Sequence, residues 1–347
     1  MKAARLRAVL AAVLVGSVAP AVASSGSSGS SGPDRAAGCV TPTTHRTMYV
    51  EELAPGPDGS PRLGYGSAPG AASIPGPTIE MVEGECLAIT VVNDVPAATL
   101  AAMRTDPSLP LGVSLHVHGV KYTPSSDGTV HNQSFVPPGE SRTYIWYAAP
   151  RVTVANRVVS LGTAGYWWYH DHVVGTDHGT GGVGAGLFGA LVVRRPTDPR
   201  PDRTFVVPMG PGVSFGLQRH PDMPELVARQ GERVEFVVIG LGDGFHTFHL
   251  HGHNWADNRT GMLVSAADET ALIDNKTVGP ADSFGFQVIA GEEVGPGAWM
   301  VHCHVQAHSD TGMMTFFRVE SNEGGAVPAV SGHEVSGHEH MHHGAHP

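Results

Sequence analysis

The run Gly165-Tyr166-Trp167-Trp168-Tyr169-His170-Asp171-His172 returns near the C-terminus as Gly297-Ala298-Trp299-Met300-Val301-His302-Cys303-His304. Each copy opens on glycine, closes on His-x-His, and leads into a short apolar run, Leu187 to Val193 in one case and Met314 to Val319 in the other. A shorter pair precedes them, His116-Val117-His118-Gly119 and His249-Leu250-His251-Gly252. Motifs repeated in the same internal order imply two homologous halves, with the proline-rich residues 196–201 as the natural linker. Between the motifs, residues 87–92 and 234–239 are β-rich runs after Gly-Glu turns, and residues 141–147 and 283–288 alternate with period two. The 45 glycines and 27 prolines disfavour long helices and favour short strands joined by turns. Residues 97–103 are the best helix candidate. The pattern predicts an all-β chain of two β-sandwich domains in tandem, residues 39–196 and 203–322.

Composition narrows the function. Lys and Arg number 21 against 32 Asp and Glu, a net charge of −11, which argues against binding a phosphate backbone. Residues 1–23 read as an export signal: Lys2, Arg5 and Arg7, an apolar run over residues 8–15, then Ala21-Val22-Ala23. Gly16, Ser17 and Pro20 break that run below the length of a membrane span, although a retained anchor is the rival reading. The mature chain is therefore expected to be secreted or periplasmic and free of the membrane. Residues 24–38 form a flexible Ser/Gly linker, native or appended. Residues 323–347 carry six histidines and read either as a solvated disordered tail or as a metal-capturing one.

Histidine is the outlier, with 21 copies, as many as Lys and Arg together. Ten of them form four clusters: His116/His118, His170/His172, His246/His249/His251 and His302/His304/His308. On a strand, His-x-His puts both imidazoles on one face, where they can grip one metal or two adjacent ones. The last cluster adds Cys303 and, ten residues on, Met313. Two imidazoles, a thiolate and a weak axial thioether make an electron-transfer copper site. If the sulfur of Cys303 faces one way, His302 and His304 face the other, so a single tripeptide touches two metal centres. Zinc is a fair rival for any one cluster, but it leaves the thioether and the doubled His-x-His pairs unexplained.

With these residues in place, the chain resembles the two-domain multicopper oxidases, the bacterial small laccase group, over roughly residues 40–320. The resemblance implies two cupredoxin-like Greek-key domains. It implies a type 1 copper held by His246, Cys303 and His308 with Met313 axial, and type 2 ligands His116 and His249. It also implies a type 3 pair held by His118, His170, His172, His251, His302 and His304. Four coppers then serve each complete set of ligands. The activity implied is one-electron oxidation of phenols or aromatic amines at type 1, coupled to four-electron reduction of O2 to water at the other three coppers. Asp171 stands where the second half has Cys303, so no blue site is expected in the first half. The family's assembly, a homotrimer in which the first domain of one subunit meets the second of its neighbour, is expected to complete each cluster.

Three further residues are candidates for catalysis. Asp127 reads as a proton relay or as an ordinary turn residue before Gly128, and Asp274 has a similar claim. Tyr122, four residues after His118, reads as an auxiliary redox group or as a packed aromatic. Cys39 and Cys86 are expected to pair as a disulfide, with two free thiols the alternative. A cuprous-ion oxidase or copper-handling protein of the same fold remains an alternative function. A copper nitrite reductase is opposed by Asp171 and by the full type 3 set, because that family carries its blue site in the first domain.

Overall fold

The computed structural model describes residue 39 and residues 41–323, so the expected export signal, the linker and nearly all of the histidine-rich tail lie outside the described residues. Two β-sandwiches follow one another. In the first, one sheet orders its strands Arg62–Gly66, Thr44–Leu53, Cys86–Asn93, Ser141–Tyr147. The facing sheet orders Gly76–Val82, Phe188–Arg194, Gly165–His170, His116–Val117. In the second sandwich a three-stranded sheet, Arg203–Met209, Arg233–Gly240, Ser283–Ile289, faces a five-stranded one, Leu226–Arg229, Met314–Glu320, Gly297–Cys303, His246–Leu250, Asn275–Val278.

The duplication seen in the sequence is a duplication of pairings. The opening strand of each half runs parallel to its partner, Thr44–Leu53 beside Cys86–Asn93 and Arg203–Met209 beside Arg233–Gly240. The strand ending in the second His-x-His is antiparallel both to the apolar strand after it and to the strand of the first His-x-His. The strands read from the sequence recur within a residue or two, and Ala97–Met103 is an α-helix. Cys39 and Cys86 form a disulfide with their Cα atoms 5.6 Å apart.

Alternation decides the cores. Val50, Leu63, Ile89, Trp146 and Leu191 close the first sandwich, and Phe236, Phe248, Phe286, Val301 and Phe317 the second, all fully buried. A third cluster joins the halves: Tyr166, Trp168, Phe188 and Val192 pack on Val237, Ile239 and Leu241. At the edge of this apolar seam, Arg194 makes paired hydrogen bonds to Glu235 at 2.7 Å each. Burial of such apolar side chains contributes roughly 1.5–3 kcal/mol apiece, so the two sandwiches are held face to face by a core of their own. Among the described residues no helix is long and apolar enough to cross a membrane.

Candidate metal centre

The strand register brings the histidines together. His116 lies opposite His170 in the first sandwich, and His249 lies opposite His302 in the second. In both halves the facing rings stand 5.2 Å apart. The glycine closing each first motif is required by packing. Gly119 and Gly252 have φ of +82° and +70°, and a Cβ on either would lie 2.1 Å from Trp167 or 2.6 Å from Trp299. Only glycine accepts both the backbone conformation and the indole.

Within each set the ring nitrogens converge. The Nε2 atoms of His118 and His170 are 3.2 Å apart, as are those of His251 and His302. His116, His118 and His170 can place one nitrogen each within 4.8 Å of the others, and so can His249, His251 and His302. His172 stands beside His116, and His304 beside His249, with ring centroids 5.1 and 5.3 Å apart. Backbone carbonyls fix the orientation. His116 Nδ1 bonds the Asp127 carbonyl at 2.6 Å, and His249 Nδ1 that of Asp274 at 2.8 Å. His170 Nδ1 bonds the Asp171 carbonyl at 2.7 Å, and His302 Nδ1 that of Cys303 at 2.9 Å. A carbonyl only accepts, so each Nδ1 carries the proton and each Nε2 keeps a lone pair for metal. Burial, with neighbouring imidazoles, pushes His118 down to about 4 and His170 well below its ordinary value, and it also lowers His116, His251 and His302. At neutral pH these rings are neutral, the form that ligates metal.

A different constellation lies on the other side of Cys303. The Nδ1 atoms of His246 and His308 are 3.2 Å apart, and the Cys303 sulfur is 3.9 and 3.5 Å from them. His246 opens its strand, Cys303 ends the strand Gly297–Cys303, and His308 rides on the short helix Gln306–Asp310. Met313 is fully buried, and its carbonyl accepts the Cys303 N–H at 3.1 Å. The Thr247 N–H donates to the sulfur at 3.4 Å. A thiol, two converging Nδ1 atoms and a thioether on the neighbouring loop suit a soft redox metal such as copper.

The remaining expectations also find their positions. Asp127 Oδ1 is 3.5 Å from His116 Nδ1, and Asp274 Oδ1 is 3.9 Å from His249 Nδ1, so the two carboxylates occupy equivalent places beside equivalent histidines. Each lines an open cavity at its histidine set, of about 510 Å3 at Asp127 and His172 and about 420 Å3 at Asp274 and His304. The Tyr122 ring lies 6.0 Å from His116. Burial, and then the adjacent Asp127, push its phenol up to about 12. No ring contact or hydrogen bond among the described residues joins the first four histidines to the second four. Among the described residues the eight histidines form two separate sets.

Sequence reasoning missed the supports. Trp168 stacks at 4.7 Å on His118 and at 4.2 Å on His170. His253 bonds the His251 carbonyl through Nδ1 and accepts the Gly291 N–H on Nε2, bracing the loop behind the second half-site. Trp168 stands inside the first copy of the motif, but its counterpart in the second is Met300, so the repeat does not single it out. Nothing in the local sequence distinguishes His253 from a surface histidine.

Two multicopper oxidase domain models match consecutive parts of the chain, residues 71–198 and 197–323. The chain is 33% identical over 281 residues to a probable nitrite reductase–hydroxylamine oxidoreductase fusion protein of Kuenenia stuttgartiensis, an alignment covering 74% of this chain and 28% of that protein. It therefore spans well under a third of that relative's length. A solved multicopper oxidase superposes with a TM-score of 0.56 at 21% identity, covering 80% of this chain and 88% of the other. A copper nitrite reductase from Nitrosomonas europaea superposes at 0.55 and 17% identity, covering 81% and 94%. At these identities the superpositions establish the cupredoxin-like fold alone.

Proposed function

The chain belongs to the multicopper oxidase family, and from that premise we propose that it is a laccase-type enzyme of the two-domain group, coupling oxidation of phenols or aromatic amines to reduction of O2 to water. One observation carries the reading: Cys303 directs its sulfur to His246 and His308, while its neighbours His302 and His304 join the histidine half-site. Bound copper supplies one-electron redox chemistry at the cysteine site and multi-electron reducing power at the histidine sites, four ions per complete set. The protein supplies the wiring. Covalent bonds lead from the sulfur to both flanking histidines, and the Cys303 carbonyl gives a second link by accepting the His302 Nδ1–H at 2.9 Å. Asp127 and Asp274, at the rims of the two cavities, are proposed to hand on the protons that water formation consumes. Tyr122 is proposed as a nearby auxiliary redox group.

The open half-sites support a homotrimer in which each complete cluster takes one set from each of two subunits. The Cys39–Cys86 disulfide supports an oxidising, extracytoplasmic compartment. The named relative favours nitrite reduction as the second reading. Against it stands Asp171, a carboxylate where a blue site in the first sandwich needs a thiolate. The test is oxygen uptake by copper-loaded protein with phenols, aromatic amines and Cu(I) as donors, and nitrite as the competing acceptor. One O2 consumed per four electrons from an aromatic donor, in a blue protein with one type 1 and one type 2 resonance, is the expected result. Turnover of nitrite without oxygen uptake overturns it, and Cu(I) as the one effective donor moves the reading to a cuprous-ion oxidase.

A further inference from the structure

Asp171 is fully buried, and four hydrogen bonds end on its carboxylate. Oδ1 accepts the Ser114 N–H at 2.8 Å and the Ser114 hydroxyl at 3.4 Å. Oδ2 accepts the N–H groups of Val173 and Val174 at 2.9 and 2.7 Å. A carboxylate offers about four lone-pair sites, so its hydrogen-bonding capacity is spent on the protein, and it is no metal ligand. A buried carboxylate without such partners costs several kcal/mol; here the donors come from two separate segments.

The position is the counterpart of Cys303. Both residues stand between the histidines of a second motif, and both take a backbone N–H from the residue two before the first histidine of the facing motif, Ser114 for Asp171 and Thr247 for Cys303. The other members of the cysteine site have no equivalents. Val113 stands three residues before His116 where His246 stands three before His249. Thr176 and Gly181 follow Asp171 at the intervals at which His308 and Met313 follow Cys303. The second sandwich thus places a thiol that would hold a metal where the first places a carboxylate held by hydrogen bonds.

We propose that Asp171 is the positioning residue of the first half-site, holding its histidines in register without metal. One oxygen grips Ser114, two residues before His116, and the other grips the turn immediately after His172. Ser114 extends the grip, because its hydroxyl accepts the His172 N–H at 2.8 Å. The Asp171 carbonyl holds His170 Nδ1 at 2.7 Å. His170 and His172 are therefore tied to Asp171 directly or through Ser114, and the segment leading into His116 is tied through Ser114. The first half-site is built before copper arrives.

The experiment is Asp171→Asn in the full chain, read in two ways. In the copper-free protein, hydrogen exchange at the amides of Ser114, Val173 and Val174 is expected to accelerate at least tenfold, because an Asn NH2 replaces an acceptor. In the loaded protein the blue absorption of the second sandwich is expected to persist, while copper affinity at the coupled histidine sites falls roughly 10–100-fold, as for loss of an outer-shell partner. Unchanged exchange, or unchanged affinity, overturns the proposal. Should Asp171→Asn lose the blue band as well, Ser114→Ala, which removes the hydroxyl that accepts the His172 N–H, is read by exchange at the His172 amide and by the same copper affinity, with acceleration and loss of affinity expected and no change in either overturning the proposal. The copper arm rests on the oxidase reading and the exchange arm does not. A wild-type protein that never forms a coupled copper pair therefore sinks the oxidase reading, while protected amides in the variant sink this proposal.

Discussion

Cys303 is a single atom's width of chemistry inside a hydrophobic core: its side chain is fully buried among Phe248, Val301, Met313 and Phe317. Serine keeps the shape and the Thr247 contact but cannot act as a soft ligand. Cys303→Ser is expected to leave the fold intact, remove the blue absorption and lower oxygen uptake by more than the 10–100-fold typical of an outer-shell loss; blue-band absorbance and an oxygen electrode check it. Tyr122 carries a second prediction. Its phenol titrates at about 12 in the folded chain against 10.0 in the open. The unfolded chain therefore loses this proton first as pH rises. The contribution to stability is fully present below pH 10 and is lost between about pH 10 and 12. Asp127→Asn removes the neighbouring negative charge and is expected to lower the titration midpoint, though not to 10, because burial remains the larger cause. A ring-labelled tyrosine NMR titration, assigned with Tyr122→Phe, measures it; a midpoint that does not move refutes the carboxylate's influence. At this scale the sequence was highly legible, because copper chemistry demands particular residue types at particular spacings. The carbonyls of Asp127, Asp274, Asp171 and Cys303 were not, since any residue carries a carbonyl and only the folded backbone aims it.

Strands and their pairing set where those residues go, and here legibility was uneven. Period-two alternation located Ser141–Tyr147 because one face meets a core; Ser283–Ile289 alternates in sequence although both its faces are covered, Phe286 by the core and Gln287 by Glu235. The hairpin of Arg151–Val154 and Arg157–Leu161 escaped notice because it is exposed on both faces, Val159 and Leu161 included, and so obeys no burial pattern. The seam between the sandwiches escaped for another reason. Glu235 sits in an otherwise apolar run and looks like a solvent-facing break, yet it is fully buried against Arg194, 41 residues earlier in the chain. Tyr166, Thr204 and Gln287 also donate to it, from three different strands. Removing Glu235 takes two hydrogen bonds from the buried Arg194 and leaves it the 2.7 Å contact to the part-exposed Glu80. Glu235→Ala is therefore expected to destabilise the chain by less than the roughly 3–5 kcal/mol of a fully stranded buried charge, yet by more than a double replacement of Arg194 and Glu235 by apolar residues of similar volume. Denaturant unfolding of the two variants tests this, and equal losses contradict it.

For the whole molecule, the question is which chains meet at a cluster. Each sandwich offers four histidines beside an open cavity, lined by His172 in the first and by His249 and His304 in the second, and the seam of Tyr166, Trp168, Val237 and Ile239 fixes the two sandwiches of one chain against each other. A cluster completed between subunits makes a prediction that an intrachain cluster cannot satisfy. A chain carrying His118→Ala spoils every first half-site it contributes, and one carrying His251→Ala spoils every second. Alone, each variant is expected to bind blue copper yet lack oxygen uptake. Unfolded together in equal amounts, refolded and reloaded with copper, they form mixed rings. An interface is intact when the first sandwich comes from the His251→Ala chain and the second from the His118→Ala chain. Random mixing makes that about one interface in four, so activity is expected to return to roughly a quarter of wild type. With clusters built inside one chain, every cluster carries a lesion and mixing restores nothing. Native mass spectrometry of the same samples reports whether mixed rings formed, so a silent mixture that does contain them rules out the shared cluster.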